Sequence, residues 1–470
     1  MDAGRPGRTA RPGPVRTEGL LMIRPVLVVL ARVLAGGFIL AMVVGLTLAA
    51  AIKPGGDGAA PAPPATAVAV EQVSASTLSA GIDRLQRHLR AQPRDGRGWA
   101  ALGLAYVERA RLTGDSSYYP KAEGALQRSL RTTPDGNDAA HAGLAALAAA
   151  RHDFTKALGH ADTALRINAY GARAHASRID ALVELGRYEE AMAAARKADS
   201  VAPGIPVFTR LAYVHELHGR NGEARRILTL AAASATDRGD IAYARTRLGE
   251  LAWAEGDLRT AGREFAAALK ADPADLAALA GRARVRAASG DLPGGVRDQE
   301  TVVSRAPLPG YVTALGELYE AQGQENKARQ QYAVAGTWAT LAQANGVAAD
   351  LETALYAADH GDKAVALRAA RAEWARRRSV HVADALAWAL HVNGRDEEAL
   401  PHARQALRHG YRDAAFRYHL GMIEKSLGMR AEARRDLAAA LRLNPRFSVH
   451  HAPAARRALD ELGRGNGGGR

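Results

Sequence analysis

The stretch Ala181-Leu-Val-Glu-Leu-Gly186-Arg-Tyr-Glu-Glu-Ala191-Met-Ala-Ala-Ala195 decides the fold. Apolar residues at helical spacing run up to Gly186 and resume after it, so the glycine separates two helices. It takes the left-handed conformation that closes a helix at little cost, which a residue with a Cβ does not. Five residues on, Ala191 falls early in the second helix, where a small side chain lets two helix backbones approach. Outward from this stretch the glycine returns at Gly219, Gly256, Gly290, Gly323, Gly361, Gly394 and Gly428, at intervals of 33, 37, 34, 33, 38, 33 and 34 residues. The alanine returns with it at Ala224, Ala261, Ala328, Ala366, Ala399 and Ala433. A beat near 34 residues marks stacked helix pairs, each too small to bury its apolar face alone and stable only against its neighbours.

Other positions keep the same register. Trp99, Leu102, Gly103 and Tyr106 follow the spacing W-x2-L-G-x2-Y, while Ala261, Phe265 and Pro273, or Ala433, Leu437 and Pro445, follow A-x3-F and then P. His152 stands in the glycine slot of an earlier unit, followed by Ala157, and a first unit runs from Trp99 to Pro134 with a loop insertion near Asp115 to Pro120. Over roughly residues 76 to 462 the chain resembles the tetratricopeptide repeat (TPR). The resemblance implies an all-α, right-handed superhelical solenoid of about ten helix-turn-helix repeats, with second helices outside and first helices lining a concave groove. It also implies a non-enzymatic protein–protein interaction scaffold that binds a partner segment in that groove. The unit at Gly290 departs from the pattern. Gly295 replaces the alanine, Leu292-Pro293-Gly294 opens the second helix and Gln299 takes the large apolar slot, so the rod is expected to be weakest there. Extra residues over 236–240 and 338–346 predict longer helices or wider turns.

The N-terminus carries a different signal. From Val33 to Ile52 no residue is charged, and 20 residues of helix span about 30 Å, the thickness of a bilayer's hydrocarbon core. Arginines at 5, 8, 11, 16, 24 and 32 precede it, which keeps that flank in the cytoplasm and places the repeats outside. The expected organisation is a basic cytoplasmic tail over 1–19, a transmembrane anchor or signal segment over 20–52 and a Pro/Gly/Ala-rich linker over 53–75. The solenoid follows over 76–452, then a capping helix over 453–462 and a tail over 463–470. Ala49-Ala50-Ala51 also satisfies a signal-cleavage pattern, which would make the protein secreted, Met22 offers an alternative start, and a buried helix of the solenoid is a third reading of the segment. The chain has no cysteine, which excludes disulfides, thiolate metal sites and thiol catalysis.

The formal net charge is +14. Basic pairs on second helices, such as Arg128 and Arg131, Arg225 and Arg226, and Arg434 and Arg435, would face outward; a basic convex face supports an alternative role as an envelope element binding anionic lipid or cell-wall polymer. A nucleic-acid partner is not expected of an outward-facing domain. Residues six and three before each glycine should line the groove. Five of those sixteen are carboxylates against the two fixed cations Arg284 and Lys425, so an acidic, partly aromatic strip is expected, suited to a basic or mixed partner segment. The candidate peptide groove is Asp180, Glu184, Tyr213, Glu216, Glu250, Trp253, Glu317, Glu320, Trp388 and His391; the plain alternative is a set of ordinary solvated helix positions.

No catalytic, cofactor or metal site is expected. His215-Glu-Leu-His218 lacks the four-residue spacing of the zinc protease helix and has no third ligand in sequence, and His450-His451, at the last turn before the cap, is a weaker candidate still. No Walker-type loop occurs, and a 5% aromatic content in a chain filled by repeats leaves no material for a separate catalytic core.

Overall fold

Glycines that close helices and alanines that let them pack give a chain of short helices. The computed structural model describes Met1 and residues 75–464. The hydrophobic segment, the basic tail before it, nearly all of the linker and the last six residues lie outside the described residues. Among the described residues every element is a helix. In chain order they are α1 (Ala75–Ala91), α2 (Gly96–Thr113), α3 (Tyr118–Thr132), α4 (Asp138–Ala150), α5 (Phe154–Ile167), α6 (Ala172–Glu184), α7 (Tyr188–Val201), α8 (Ile205–Leu217), α9 (Asn221–Ser234), α10 (Arg238–Ala254) and α11 (Leu258–Ala271). The second half holds α12 (Leu276–Ala288), α13 (Leu292–Arg305), α14 (Pro309–Ala321), α15 (Glu325–Ala344), α16 (Asp350–His360), α17 (Lys363–Arg376), α18 (Val380–Val392), α19 (Asp396–Leu407), α20 (Ala414–Ser426), α21 (Arg430–Leu443) and α22 (His451–Arg464). From α2–α3 to α20–α21 they form ten consecutive pairs, with α1 and α22 at the ends. α10 and α15, where the sequence holds extra residues, are 17 and 20 residues long.

Seven of the eight marker glycines are left-handed. His152 takes the same conformation at φ 61°, a non-glycine exception among the described residues. Gly361 departs from the expectation with φ −132°, because α16 stops at His360 and Asp362 accepts hydrogen bonds from the Ala364 and Val365 amides, starting α17 without a left-handed residue. The seven marker alanines are at most 1% exposed. Opposite them, large side chains of second helices press into glycines of first helices. A Cβ built on Gly249 or Gly281 would lie 2.6 or 2.3 Å from the Phe265 ring, so Phe265 wedges between α10 and α12 at a distance only glycine permits.

The unit at Gly290 holds together by other means. α13 is a full 14-residue helix with Asp291 accepting from the Gly294 amide. A Cβ on Gly295 would meet the Ala283 carbonyl oxygen at 2.8 Å, and the buried Gln299 donates to the Tyr311 carbonyl at 2.9 Å. The even-numbered helices form an inner layer in which each packs against the next except between α12 and α14, beside that unit, where packing is sparsest.

The solenoid coils tightly enough for its second turn to touch its first. His152 Nδ1 lies 3.0 Å from the Ala348 carbonyl oxygen, 196 residues away. The Val380 amide donates to Tyr188 Oη at 2.6 Å across 192 residues, and Asn444 Nδ2 donates to the Trp253 carbonyl at 2.7 Å across 191. At about 34 residues per repeat, this nearly constant offset means about five and a half repeats per turn.

Candidate functional site

First helices carry the inward-facing side chains, and the tight coiling decides what those side chains meet. The middle of the expected groove is charge-compensated rather than acidic, because arginines from the following repeat reach each carboxylate. Asp180 receives both Nε and Nη2 of the fully buried Arg210, at 2.8 and 2.7 Å. Glu216 accepts from Arg247 Nη2 at 3.2 Å, and Glu250 pairs with Arg284. Guanidinium groups also cover the aromatics: Arg247 lies 5.7 Å from the Tyr213 ring centre and Arg284 5.3 Å from that of Trp253. Arg210 and Arg247 stand nine residues before Gly219 and Gly256, an inward position that counting back six and three passes over.

Where the turns touch, the expected groove residues are interior ones. Tyr213 is 2% exposed and its Oη lies 2.8 Å from His381 Nε2 of α18. Glu184 is buried in an ion pair with Arg377, which also binds Glu373 of α17 and lies 4.9 Å from the Phe154 ring centre. The expectation that Tyr213 and Glu184 line an open surface is therefore corrected: the second turn covers them. Burial raises Glu184 against the opposing pull of Arg377, and it pushes Glu216 up to about 7 against Arg247. Burial, with the charge of Arg377, pushes His381 down to about 4, so the ring beside the Tyr213 hydroxyl is neutral.

The remaining candidates gather where the second turn ends. Glu317 lies 3.2 Å from His360 Nε2 and Glu320 3.7 Å from His450 Nδ1. Trp388 is 6% exposed, donates from Nε1 to Asp359 Oδ1 at 2.8 Å and stacks on His419. His391 pairs with Asp396 in its own hairpin. Of the ten expected residues, Glu250 and Trp253 combine partial exposure with a neighbouring cation, Arg284, that is itself 38% exposed. No helix of the described residues is long and apolar enough to cross a membrane. Outward-facing arginines are partly compensated as well, Arg226 by Glu223, Arg225 by Glu255 and Arg435 by Asp436.

Residues 180–204 and 414–447 match the family model described as tetratricopeptide repeat. No curated protein matches the chain. Similar solved structures include the APC/C hetero-tetramer Cut9-Hcn1, at 15% identity over 83% of this chain and 82% of that one, with a TM-score of 0.38. The human IFIT1 dimer with PPP-AAAA is similar at 14% identity over 78% and 89%, with a TM-score of 0.43. A tetratricopeptide repeat protein from Parabacteroides merdae is similar at 17% identity over 49% and 93%, with a TM-score of 0.37. The matched segments hold α7 and the α20–α21 pair, and among the described residues the chain is an all-α solenoid of stacked helix pairs, two segments of which match the tetratricopeptide repeat.

Proposed function

We propose that the protein is a non-enzymatic scaffold, held by its N-terminal segment at the outer side of the cytoplasmic membrane, whose inner face takes a segment of a partner protein. The observation that carries this reading is the half-exposed strip of Glu250, Trp253 and Arg284 on α10 and α12, where two partly exposed anchors share one cation. Exposed tryptophan and arginine side by side are the residue types that dominate binding energy in protein interfaces. Because Glu250 and Arg284 offset each other, the strip suits a partner segment of mixed charge with an apolar anchor, rather than the strongly basic one an acidic groove would select.

The test is crosslinking and affinity capture from native membranes with the wild-type chain and with Trp253→Ala/Arg284→Ala. A partner recovered with the wild type should bind the double variant about thirtyfold more weakly, a loss of about 2 kcal/mol, with helicity unchanged. Equal recovery would remove the strip as the binding site. Alkaline phosphatase fused after Leu462 should be active if the repeats lie outside, and inactive fusions would reverse the compartment.

A further inference from the structure

Superhelical coiling brings the head of α22 against the end of α16, residues some ninety positions apart in the chain. Asp359, His450 and His451 each present one ligand atom there, and the three atoms lie within 4.8 Å of one another. His451 Nε2 is buried, stands 3.2 Å from Asp359 Oδ1 and makes no aligned hydrogen bond with it. The same oxygen, Asp359 Oδ1, accepts from the indole N–H of Trp388 at 2.8 Å, a contact of the kind that orients a ligating carboxylate. The His451 ring is fixed against Tyr418, with centroids 4.9 Å apart and planes 28° apart. Two imidazoles and one carboxylate without a thiolate suit zinc and its first-row neighbours, and leave a fourth position for water. A tetrahedral ion about 2.0–2.1 Å from each donor holds the donors closer than 4.8 Å, a closure that side-chain rotation supplies.

We propose that Asp359, His450 and His451 bind a zinc ion that staples α22 to α16, with Trp388 as a positioning residue. A second group, Glu189, His218 and His409, meets the same spacing but not the same chemistry. Glu189 is 84% exposed, and Arg408 Nη2 lies 3.1 Å from His409 Nε2, which engages the lone pair a metal needs.

Full-length protein without an affinity tag, titrated with cobalt(II) chloride, should develop visible d–d bands at one equivalent, and zinc should displace them. Zinc should also raise the melting temperature. Asp359→Asn keeps the size of the side chain and an acceptor for Trp388; it and His451→Gln should each weaken metal binding at least tenfold and abolish the zinc-dependent stabilisation, whereas His218→Gln should change neither. Absence of d–d bands in the wild type would overturn the site, as would bands that persist in Asp359→Asn or vanish in His218→Gln. Asp359→Asn decides the matter alone if His451→Gln does not fold.

Discussion

Gly186 and Gly323 share a left-handed backbone, with φ of 75° and 72°, and differ in what surrounds them. A Cβ on Gly323 would meet nothing within 4 Å, whereas one on Gly186 would lie 2.5 Å from the Arg378 carbonyl oxygen in the next turn. Gly219 and Gly256 make the same close approach, to the carbonyls of Gly410 and Leu443. Gly323→Ala should therefore cost about 1 kcal/mol, the left-handed penalty alone. Gly186→Ala should cost about 2 kcal/mol more, because backbone must move away from backbone. Urea denaturation midpoints measure both, and equal losses would mean that the approach between turns carries no energy. The turn role of these four glycines is legible in the sequence because it is local. The second role pairs residues about 190 positions apart, and no local pattern encodes that register.

Single helices show the same division. Asp180, Glu184, Tyr213 and Glu216 mark α6 and α8 as groove helices by their spacing, yet α8 is buried over nearly its whole circumference and so is its partner across the turns, α18. A readable signal existed: Val380-His-Val-Ala-Asp-Ala-Leu-Ala-Trp-Ala-Leu-His-Val has a single acidic residue and no polar face, as expected of a helix buried all round. Enclosure of this pair of helices predicts opposite pH responses. His381, near 4 in the fold against an ordinary 6.5, is neutral where the unfolded chain is protonated, so its contribution is lost as pH falls from about 6.5 to about 4. Glu216, near 7 against an ordinary 4.5, holds a proton that the unfolded chain has released, so its contribution is present below about 4.5 and lost as pH rises to about 7. Each shift corresponds to about 3 kcal/mol at most, and the two offset each other in the wild type. Relative to wild type, stability of Glu216→Gln should rise more steeply with pH over this window and that of His381→Asn should fall more steeply. Urea melts from pH 4 to 7.5 give the slopes, and variants that track the wild type would refute the enclosure of both groups.

At the scale of the whole molecule, a solenoid whose repeats touch only their neighbours can open locally, one unit at a time. Ten helix pairs and their order followed from the 34-residue beat; the contact between turns did not, because it depends on small rotations accumulated over five or more repeats. That contact converts a chain of neighbours into a structure with long-range coupling, and Arg377 is its centre. Its side chain is 2% exposed between Glu184 of the first turn and Glu373 of the second, with side-chain exposures of 6% and 0%. Removing the guanidinium leaves Glu184 without its partner across the turns and Glu373 with the half-exposed Arg376 alone. Arg377→Ala should thus cost about 3–5 kcal/mol, whereas Arg376→Ala, which removes a 39% exposed partner, should cost about 1 kcal/mol or less. The Arg377 effect should persist at 1 M salt, since a buried pair is poorly screened, and the small Arg376 effect should fade. Loss of coupling has a separate signature: amides of α18 and α8 should exchange faster in Arg377→Ala while those of α12 and α13, which hold none of the Arg377 partners, keep their protection. Uniform acceleration along the chain would show instead that the turns unfold as one cooperative unit whether or not Arg377 joins them.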